Sequence, residues 1–449
     1  MDKKTQYIFF VSGLLIIFLF AILLGLNLIQ GLFLFALSLL GLLMFFRPLW
    51  ALIILLITRP AIDLWGTAPL IDINTISLNY NSLIGLLVFV AGIAYLSKER
   101  KRLPAIPSIY LIVSFILLAL ISLIWSPSII DGLREFIRIS GIFIIFAVSF
   151  LTISNKSHFK ILLKAFIISS LIPLIVSIIQ YFTETGEVIF GEFFKRLYGS
   201  FFYPNSLAFF LVFIIAILLF QFSQSRKIET KFLYGLFTLI IFLVLLGTYT
   251  RGAWLGGILV FLVFGLVKFR KILLGGVLLI VLMCLFVPII QERVGDVVSL
   301  EPFSSLFWRI KLWQGMIDFF MQKPILGHGL NAFQVLSQDL QGLSILPAPE
   351  AHNDYLKLLI ELGIAGFILY FAINIKLLIF NLKNFLKNKD KFLKDASLLA
   401  VILVGVFILM AFGDNIMRGT ATEWCLFAYL GGLAGIMKVG VFGKKLQKR

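Results

Sequence analysis

Long apolar runs separated by short clusters of charged residues make up most of the chain. A helix needs about 20 apolar residues to cross a bilayer. Breaking the sequence at its charge clusters predicts up to fourteen membrane spans: 6–26, 28–46, 48–60, 76–96, 107–125, 137–153, 161–182, 204–222, 231–249, 252–268, 271–290, 353–380, 396–413 and 421–440. The run 48–60 is short, so we expect 12–14 transmembrane helices. With no alternating strand pattern in view, the sequence predicts an all-α, polytopic integral membrane protein.

The composition of the chain supports this class. Of its 449 residues, 61% are hydrophobic and only 14% are charged, and the mean hydropathy is +1.06. A soluble globular protein is roughly half apolar and about a quarter charged. The composition therefore excludes cytosolic enzymes, disordered proteins and secreted disulfide scaffolds. Cys284 and Cys425 both lie in apolar runs, so they predict neither a disulfide nor a metal framework.

Lysine and arginine are distributed unequally between the two sides of the predicted bundle. With a cytoplasmic start and fourteen spans, the inside segments carry a net charge of +22 and the outside segments −5, which gives the +17 of the whole chain. This asymmetry follows the positive-inside rule and predicts both termini in the cytoplasm. Topology next to anionic lipid thus explains the basic excess, and no nucleic-acid partner is expected.

A long outside segment divides the chain into three parts. Residues 1–290 are predicted to form a transmembrane helical bundle of about eleven spans, residues 291–352 the outside loop, and residues 353–449 the C-terminal transmembrane helices and a cytoplasmic tail. We expect a single integrated membrane domain. Helical periodicity over 303–322 predicts an amphipathic helix inside the loop. Long loops are usually functional, so the loop is the first place to look for chemistry.

His352 stands at the end of this loop, just before a predicted span. Asn353 and Asp354 can cap the helix that follows, which would leave the imidazole at the water boundary. An unperturbed histidine has a pKa of about 6.5, so His352 can act as a base near neutrality, with Asn353 or Asp354 orienting the ring. The alternative is a polar interfacial residue without a chemical role. His158 is assigned to the cytoplasmic surface and His328 to loop structure.

Two arginines stand on the outer side against the charge bias. Arg251 lies in a tight hairpin between two apolar runs, where it either binds an anion or extends to lipid headgroups. Arg309 lies on the flank of the apolar stripe of the amphipathic helix, where an unpaired charge costs desolvation free energy. We expect the helix to aim Arg309 toward a cavity roofed by the loop. The alternative is a side chain that lies on lipid with its charged end in water.

Three further outer arginines, Arg134, Arg138 and Arg418, either bind an anion or form ion pairs with acidic neighbours such as Glu135. On the helix after His352, acidic and basic residues spaced three and four apart are expected to pair with one another: Asp354, Lys357 and Glu361. The outer acids contain no Asp-x-Asp pair, so neither a metal site nor a cofactor is expected.

The outer face therefore combines several arginines with one well-placed histidine. Arginine guanidinium groups suit phosphate oxygens, and a histidine suits removal of a proton from a hydroxyl. A membrane-embedded protein with these groups at its outer surface fits an enzyme that acts on a lipid-linked phosphate donor.

Four segments, in order, resemble the O-antigen ligase and O-antigen polymerase family: GSFFYPNSLAFFL (199–211), GTYTRGAWLGG (247–257), WRIKLWQGMIDFFMQKPILGHGLNAF (308–333) and AHNDYLKLLIELGIAGFILY (351–370). The resemblance covers about 199–440. It implies a helical glycosyltransferase of the bacterial inner membrane that uses an undecaprenyl-pyrophosphate-linked glycan at the periplasmic face, without a metal ion. The 291–352 loop is then periplasmic.

The resemblance also assigns roles to residues. His352 would be the general base of an inverting transfer, and Arg251 and Arg309 would hold the donor pyrophosphate as the other two catalytic residues. Four further outer arginines and an asparagine of the first segment are expected to bind substrate: Arg134, Arg138, Arg293, Arg418 and Asn205.

Two activities are compatible with this family. A ligase attaches the glycan to lipid A–core, and this is the activity we expect. A polymerase extends a second lipid-linked glycan and would work with a chain-length regulator. A flippase for lipid-linked oligosaccharides is the alternative from another class, but neither inverted repeats nor mid-membrane charges are visible in the sequence. A passive structural protein would leave the outer arginines and the long loop unexplained.

Overall fold

The computed structural model describes residues 27–73, 76–188, 195–270, 273, 305–340 and 350–446. Two predicted spans, 6–26 and 271–290, and the predicted substrate-binding residue Arg293 lie outside the described residues.

The described part of the chain is mainly helical. Its α-helices are α1 (Leu28–Phe46), α2 (Pro48–Ala61), α3 (Tyr80–Lys98), α4 (Ile109–Ile121), α5 (Ile129–Thr152), α6 (Lys156–Ser169), α7 (Leu171–Thr183), α8 (Pro204–Gln224), α9 (Ile228–Gly247), α10 (Arg251–Lys268), α11 (Ser305–Gln322), α12 (Ala332–Leu336), α13 (Asp354–Lys387), α14 (Lys391–Met410) and α15 (Thr420–Leu446). Among the described residues, nine helical stretches are long and apolar enough to cross a membrane, and two shorter apolar helices accompany them. The prediction of an all-α, polytopic membrane protein is confirmed.

Polar residues between the apolar runs determine where several helices begin. Asn79, Ser128, Asn155 and Asp390 each accept a hydrogen bond from a backbone N–H in the first turn of α3, α5, α6 and α14, respectively. Such side chains satisfy donors that have no partner within the helix. The breaks that the sequence pattern placed at polar clusters therefore correspond to capped helix ends.

Two predicted spans have an altered form. The span predicted at 161–182 consists of α6 and α7, which meet at Ser170. Pro173 in the first turn of α7 has no N–H to continue the ladder of α6, which accounts for the break. The short run 48–60 forms α2, a helix of 14 residues.

Two small hairpins were not predicted. Strand β1 (Pro69–Ile73) pairs antiparallel with β2 (Ile76–Asn79), and β3 (Glu187–Val188) pairs antiparallel with β4 (Lys195–Arg196). These strands are too short to produce a recognisable alternation in the sequence. They join successive helices and leave the all-α class unchanged.

The helices place two kinds of surface at opposite ends of the bundle. At one end, which we call the loop end, the starts of α8, α10 and α13 lie close to one another and to the turn after α14, and the described loop residues 305–340 and 350–353 lie at this end. At the other end, Arg102 donates to the carbonyl of Leu151 at 3.0 Å and Lys156 pairs with Asp390. Basic residues that the sequence predicts inside thus lie away from the loop end.

The C-terminal helices pack within the N-terminal part of the bundle. A Cβ atom on Gly431 of α15 would lie 2.2 Å from the carbonyl oxygen of Phe146 on α5, and one on Gly435 would lie 2.5 Å from that of Phe150. Small residues allow two helix backbones this close an approach. Helices from both ends of the sequence therefore share one buried core.

The predicted amphipathic helix is present as α11. Its buried face is centred on Leu312 and Met316, which pack with Phe333, Ala351 and Ile360. The periodicity over 303–322 predicts one apolar stripe, formed by Phe303, Leu306, Phe307, Ile310, Trp313, Ile317 and Phe320. Of these, Ile317 is 49% exposed. The stripe indicated the helix correctly but not the face that packs, because a membrane-associated helix also carries apolar residues on its outer side.

A clamp of backbone hydrogen bonds attaches the segment after α11 to a break in α13. Gly363 has φ = 63° inside α13, a left-handed conformation that glycine adopts without a Cβ penalty. On either side of the break, Gly329 N–H donates to the Glu361 carbonyl at 2.9 Å and Ile364 N–H donates to the Pro324 carbonyl at 2.8 Å. The clamp satisfies backbone groups that the break would leave unpaired and fixes α11 relative to α13.

Candidate active site

His352 lies directly before α13 at the loop end. The N-cap is Asn353, whose side-chain oxygen accepts from the N–H groups of Tyr355 and Leu356. His352 itself has φ = 45°, a left-handed conformation that few non-glycine residues adopt and that recurs at functional sites. Its side chain remains 36% exposed. The imidazole is therefore fixed by the helix start yet reachable from outside, as the sequence predicted.

Asp414 is the partner of the His352 ring. The imidazole Nδ1 lies 3.2 Å from Asp414 Oδ1, and the same oxygen accepts from the Asn415 N–H at 2.8 Å. Neither residue that the sequence suggested for this role takes it, since Asn353 caps α13 and Asp354 accepts from the Met417 N–H. The orienting carboxylate comes instead from the turn after α14.

The surroundings of Asp414 favour its ionised form. Burial by itself would raise its pKa, but the hydrogen bond and charge of His352 lower it, as do the Arg309 guanidinium and the Asn415 N–H. The balance holds the pKa of Asp414 below its usual value. A carboxylate in this state can stabilise positive charge on the adjacent imidazole.

The second oxygen of Asp414 connects to a group of polar side chains between α8 and α10. Asn205 Nδ2 donates to Asp414 Oδ2 at 2.5 Å. Asn205 Oδ1 accepts from Arg196 Nη2 at 2.6 Å and from the Thr250 hydroxyl at 3.2 Å. Asn205, a predicted substrate-binding residue, therefore lies one contact away from the His352 pair.

Arg309 reaches the same turn from α11. Its Nη1 donates to the Gly413 carbonyl at 2.6 Å, next to Asp414. One helical turn later, Trp313 Nε1 donates to the Ala351 carbonyl at 2.7 Å, next to His352. Residues four apart share a helix face, so one face of α11 contacts Gly413 and Ala351, the residues directly before Asp414 and His352. The predicted inward direction of Arg309 agrees with these contacts.

Arg251 is the first residue of α10 and follows Thr250 directly. Its side chain is half-buried. Because the Thr250 hydroxyl contacts Asn205 and Arg196, the start of α10 belongs to the same cluster. The structure thus brings four of the predicted residues to one place: His352, Arg309, Asn205 and the backbone position of Arg251.

Arg418 lies at the edge of this cluster and pairs with Glu350. Glu350 also accepts from Gln334 Nε2 and from Asn415 Nδ2, each at 3.1 Å. The ion pair that the sequence left open for Arg418 therefore forms, and its partner is a residue of the long loop.

Arg134 and Arg138 are placed differently from this cluster. Arg134 is on an exposed part of α5, where it donates to Asp131 at 2.9 Å. Arg138 is inside the bundle and binds both carboxylate oxygens of Glu135, at 2.9 and 2.6 Å. Of the two alternatives that the sequence allowed, the structure shows ion pairing for both residues.

Lys357 extends the buried ion pair of α5 to α13. Its Nζ donates to Glu135 Oε1 at 2.5 Å and lies 3.9 Å from Glu361. The predicted pairing of Lys357 with Glu361 is therefore observed, while Asp354 bonds to the Met417 N–H instead. These contacts hold α13 against α5 below the helix start that carries His352.

Two residues of the cluster, Asp414 and Arg196, were not predicted. Asp414 is 62 positions from His352, and a single sequence contains no signal for contacts over that distance. Arg196 did carry a signal, since it is a basic residue on the outer side against the charge bias. That signal identified twelve outer basic residues and could not separate Arg196 from the others.

The cluster is suited to an anionic ligand beside a base. Three helix starts, those of α8, α10 and α13, meet at Asn205, Thr250 and His352, and each brings a partial positive charge. Basic side chains outnumber acidic ones: Arg196, Arg251, Arg309 and Arg418 against Glu350 and Asp414. A ligand with phosphate groups and a hydroxyl could therefore be held here with the hydroxyl near His352.

Comparison with known proteins agrees with this chemistry. A family model described as O-antigen ligase matches residues 236–371, which include Arg251, Arg309 and His352. A protein of Rickettsia conorii named "Putative polysaccharide ligase" is 25% identical over 285 residues, which cover 59% of this chain and 66% of the relative, just under two thirds of its length. The chain is therefore a multi-pass membrane protein with a segment, residues 236–371, that is similar to the O-antigen ligase family.

Proposed function

We propose that the protein transfers a glycan from undecaprenyl pyrophosphate to the hydroxyl of an acceptor sugar, with lipid A–core as the acceptor. The observation that carries this proposal is the contact between His352 and Asp414, placed beside Arg309 and the start of α10. The proposal also places the protein in the bacterial inner membrane, with the loop end facing the periplasm and both termini in the cytoplasm.

In this reaction His352 acts as general base. Nε2 takes the proton of the acceptor hydroxyl while the hydroxyl oxygen forms a bond to the anomeric carbon of the glycan. The bond from that carbon to the pyrophosphate oxygen breaks, and undecaprenyl pyrophosphate leaves with the electron pair. Attack from the face opposite the leaving group inverts the anomeric configuration. Asp414 stabilises the imidazolium that forms.

Arg251 and Arg309 stabilise the negative charge that develops on the leaving pyrophosphate. A preorganised donor aimed at developing charge typically contributes about 2.7–4 kcal/mol to transition-state stabilisation. In this proposal the two guanidinium groups supply the positive charge opposite the pyrophosphate, and no metal ion takes part. Arg418, which pairs with Glu350, is proposed to contact substrate at the edge of the site.

The three sequence regions act as one membrane domain in this proposal. Residues 291–352 bring Arg309 and His352, the bundle before them brings Asn205 and Arg251, and the helices after them bring Asp414. The site is complete only when all three regions are folded together.

Purified protein tests the proposal directly. It is incubated with the lipid-linked glycan alone and then with lipid A–core added. Product that forms only with lipid A–core supports the ligase. A ladder of longer lipid-linked glycans without core would identify a polymerase instead, and the absence of both products would contradict a glycosyltransferase.

Matched variants show whether the product comes from the proposed site. His352→Gln should abolish product, whereas His158→Gln, at the opposite end of the bundle, should retain it. Equal activity in both variants would exclude His352 as the base even if the protein is a ligase.

A further inference from the structure

Arg196 is a buried arginine that the proposed reaction does not use. It is only 9% exposed, and it lies on β4 beside the start of α8. Its Nε donates to the Thr248 carbonyl at 2.7 Å, and its Nη2 donates to Asn205 Oδ1 at 2.6 Å and to the Thr250 hydroxyl at 3.0 Å. The planar guanidinium is thus held in one orientation by Asn205 on α8 and by Thr248 and Thr250 before α10.

This arginine fixes which way the Asn205 amide faces. A guanidinium only donates hydrogen bonds, so the group of Asn205 that faces it must be the carbonyl oxygen. The NH₂ group then points the other way, toward Asp414 Oδ2 at 2.5 Å. A flipped amide would place its NH₂ group against the Arg196 N–H and its oxygen against the Asp414 carboxylate, two contacts that repel.

The orientation of Asn205 in turn fixes Asp414. Its Oδ2 accepts from Asn205, and its Oδ1 accepts from the Asn415 N–H and faces His352 Nδ1. An ionised carboxylate only accepts hydrogen bonds. The proton of the neutral imidazole is therefore drawn to Nδ1, which leaves Nε2 with a free electron pair.

We propose that Arg196 and Asn205 are positioning residues that set the tautomer of His352 through Asp414. The contact chain is Arg196–Asn205–Asp414–His352, and its outcome is an imidazole protonated on Nδ1 and basic on Nε2. The proposal rests on the proposed function, because a defined tautomer matters only if His352 is the base. Arg196 acts through the other three residues and does not touch substrate.

Variants of Arg196 are compared with a matched neighbour. Arg196→Gln removes the guanidinium and should lower kcat on the order of 10- to 100-fold, the range typical for outer hydrogen-bond partners of ligating histidines. Arg196→Lys keeps the charge but loses the planar group of donors and should stay impaired. Lys195→Gln removes the same charge from the same strand at an exposed side chain that pairs with Glu184, and it should leave kcat unchanged.

Whether the Arg196 substitutions change kcat or KM shows whether Arg196 positions His352 or binds the donor. A positioning residue lowers kcat and changes the pH profile of kcat, because less of the imidazole carries a free Nε2, while the donor KM stays near the wild-type value. If Arg196→Lys instead raises the donor KM and leaves kcat and its pH profile unchanged, Arg196 binds the pyrophosphate and the proposal is wrong.

The tautomer itself can be measured without turnover. Protein labelled with ¹⁵N-histidine is studied in lipid by solid-state NMR, and the His352 ring signals are assigned by their loss in His352→Gln. The wild type should show protonated Nδ1 and bare Nε2, and Arg196→Gln should show a mixture of tautomers. Bare Nδ1 in the wild type, or an unchanged tautomer in folded Arg196→Gln, would overturn the proposal.

The two measurements separate this proposal from the proposed function. The expected tautomer together with an active His352→Gln variant would leave the contact chain standing and remove the base role. An inactive His352→Gln variant together with an unchanged tautomer in Arg196→Gln would keep the base role and remove Arg196 from its positioning.

Discussion

At the scale of single residues, the site depends on partners that lie far apart in the sequence. His352 has a reachable ring at a helix start, but its chemistry depends on Asp414 from the next interhelical turn. Asp414 is buried and ionised because His352, Arg309 and the Asn415 N–H outweigh the cost of its burial. The pair therefore works as one unit, and removing either member should affect the same kinetic step.

The first prediction concerns that unit. His352→Ala and Asp414→Asn should each lower kcat, with the loss for His352→Ala within the roughly 10²- to 10⁴-fold range typical of general bases. The acceptor KM should stay nearly constant, because neither change removes a group that only binds substrate. Asp318→Asn on the exposed side of α11 is the control. Wild-type kcat in folded Asp414→Asn at saturating acceptor would show that Asp414 does not assist His352, and wild-type kcat in His352→Ala would remove the base role.

The pH dependence of kcat follows from the depressed pKa of Asp414. The usual value for an aspartate is about 3.9, so Asp414 remains ionised at neutral pH and its contacts stabilise the fold fully above that value. They are lost only as the pH falls through the lower pKa of the folded protein. We therefore expect a single proton, taken up by the base, to govern the acid limb of kcat. An acid limb that requires two protons would contradict this assignment.

A further prediction at the residue scale distinguishes the paired hydrogen-bond donors of an arginine from its positive charge alone. Arg251→Lys and Arg309→Lys should both remain impaired, because an ammonium does not reproduce two parallel hydrogen bonds to phosphate oxygens. The expected loss is about 2.7–4 kcal/mol of transition-state stabilisation for each alanine variant, measured as kcat/KM for the donor. Lys311→Ala, exposed on the same helix as Arg309, is the control. Full activity of both alanine variants would contradict the pyrophosphate role.

The sequence predicted single residues better than it predicted their contacts. His352, Arg251 and Arg309 stand out as unusual charges at the ends of apolar runs, and that signal is local. The orienting role of Asp414 depends on the way α13 and α14 pack, and the sequence favoured Asn353 or Asp354 because they are neighbours of His352. Position along the chain therefore indicated His352, the proposed base, but not the carboxylate that contacts its ring.

At the scale of elements, two features hold the parts of the site in place. The break in α13 at Gly363 receives the segment after α11, so that the helix carrying Arg309 and the helix started by His352 are joined by backbone hydrogen bonds. Apolar periodicity predicted both helices but not this break, because an apolar run with isolated glycines such as Gly363 and Gly366 is compatible with a continuous helix. Small residues provide the other feature, the close contact of α15 with α5.

The element-scale prediction concerns this close contact. Gly431→Ala should destabilise the protein by about 1–3 kcal/mol, because a Cβ there would lie 2.2 Å from the Phe146 carbonyl oxygen and the helices would have to separate. Gly405→Ala on α14 is the matched control, since an added Cβ there meets no described atom within 4 Å outside its own stretch of helix. Gly405→Ala should raise the free energy of unfolding by up to about 1 kcal/mol, because alanine has a higher helix propensity than glycine. Equal thermal stability of the two variants in detergent would show that α15 does not pack as described.

At the scale of the whole molecule, the bundle separates the site from charged residues that the sequence predicts on the inside. Asn205, Thr250 and His352 come from three helix starts that share the loop end, whereas Arg102, Lys156 and Asp390 lie at the other end. This arrangement agrees with the sequence prediction of +22 inside and −5 outside. A lipid-linked donor could reach the site from the membrane while the acceptor approaches from the loop end.

The last prediction tests that orientation. Cys284 and Cys425 are replaced by serine, and single cysteines are introduced at Gln338 in the long loop or at Lys389 at the opposite end, both exposed positions. With the loop end in the periplasm, a membrane-impermeant maleimide should label Gln338→Cys in intact spheroplasts. It should label Lys389→Cys only after the membrane is opened, because the positive-inside rule places that basic segment in the cytoplasm. Activity of both variants confirms that they are folded. Labelling of Lys389→Cys alone in intact spheroplasts would invert the topology and place His352 on the cytoplasmic side, where the proposed periplasmic transfer could not occur.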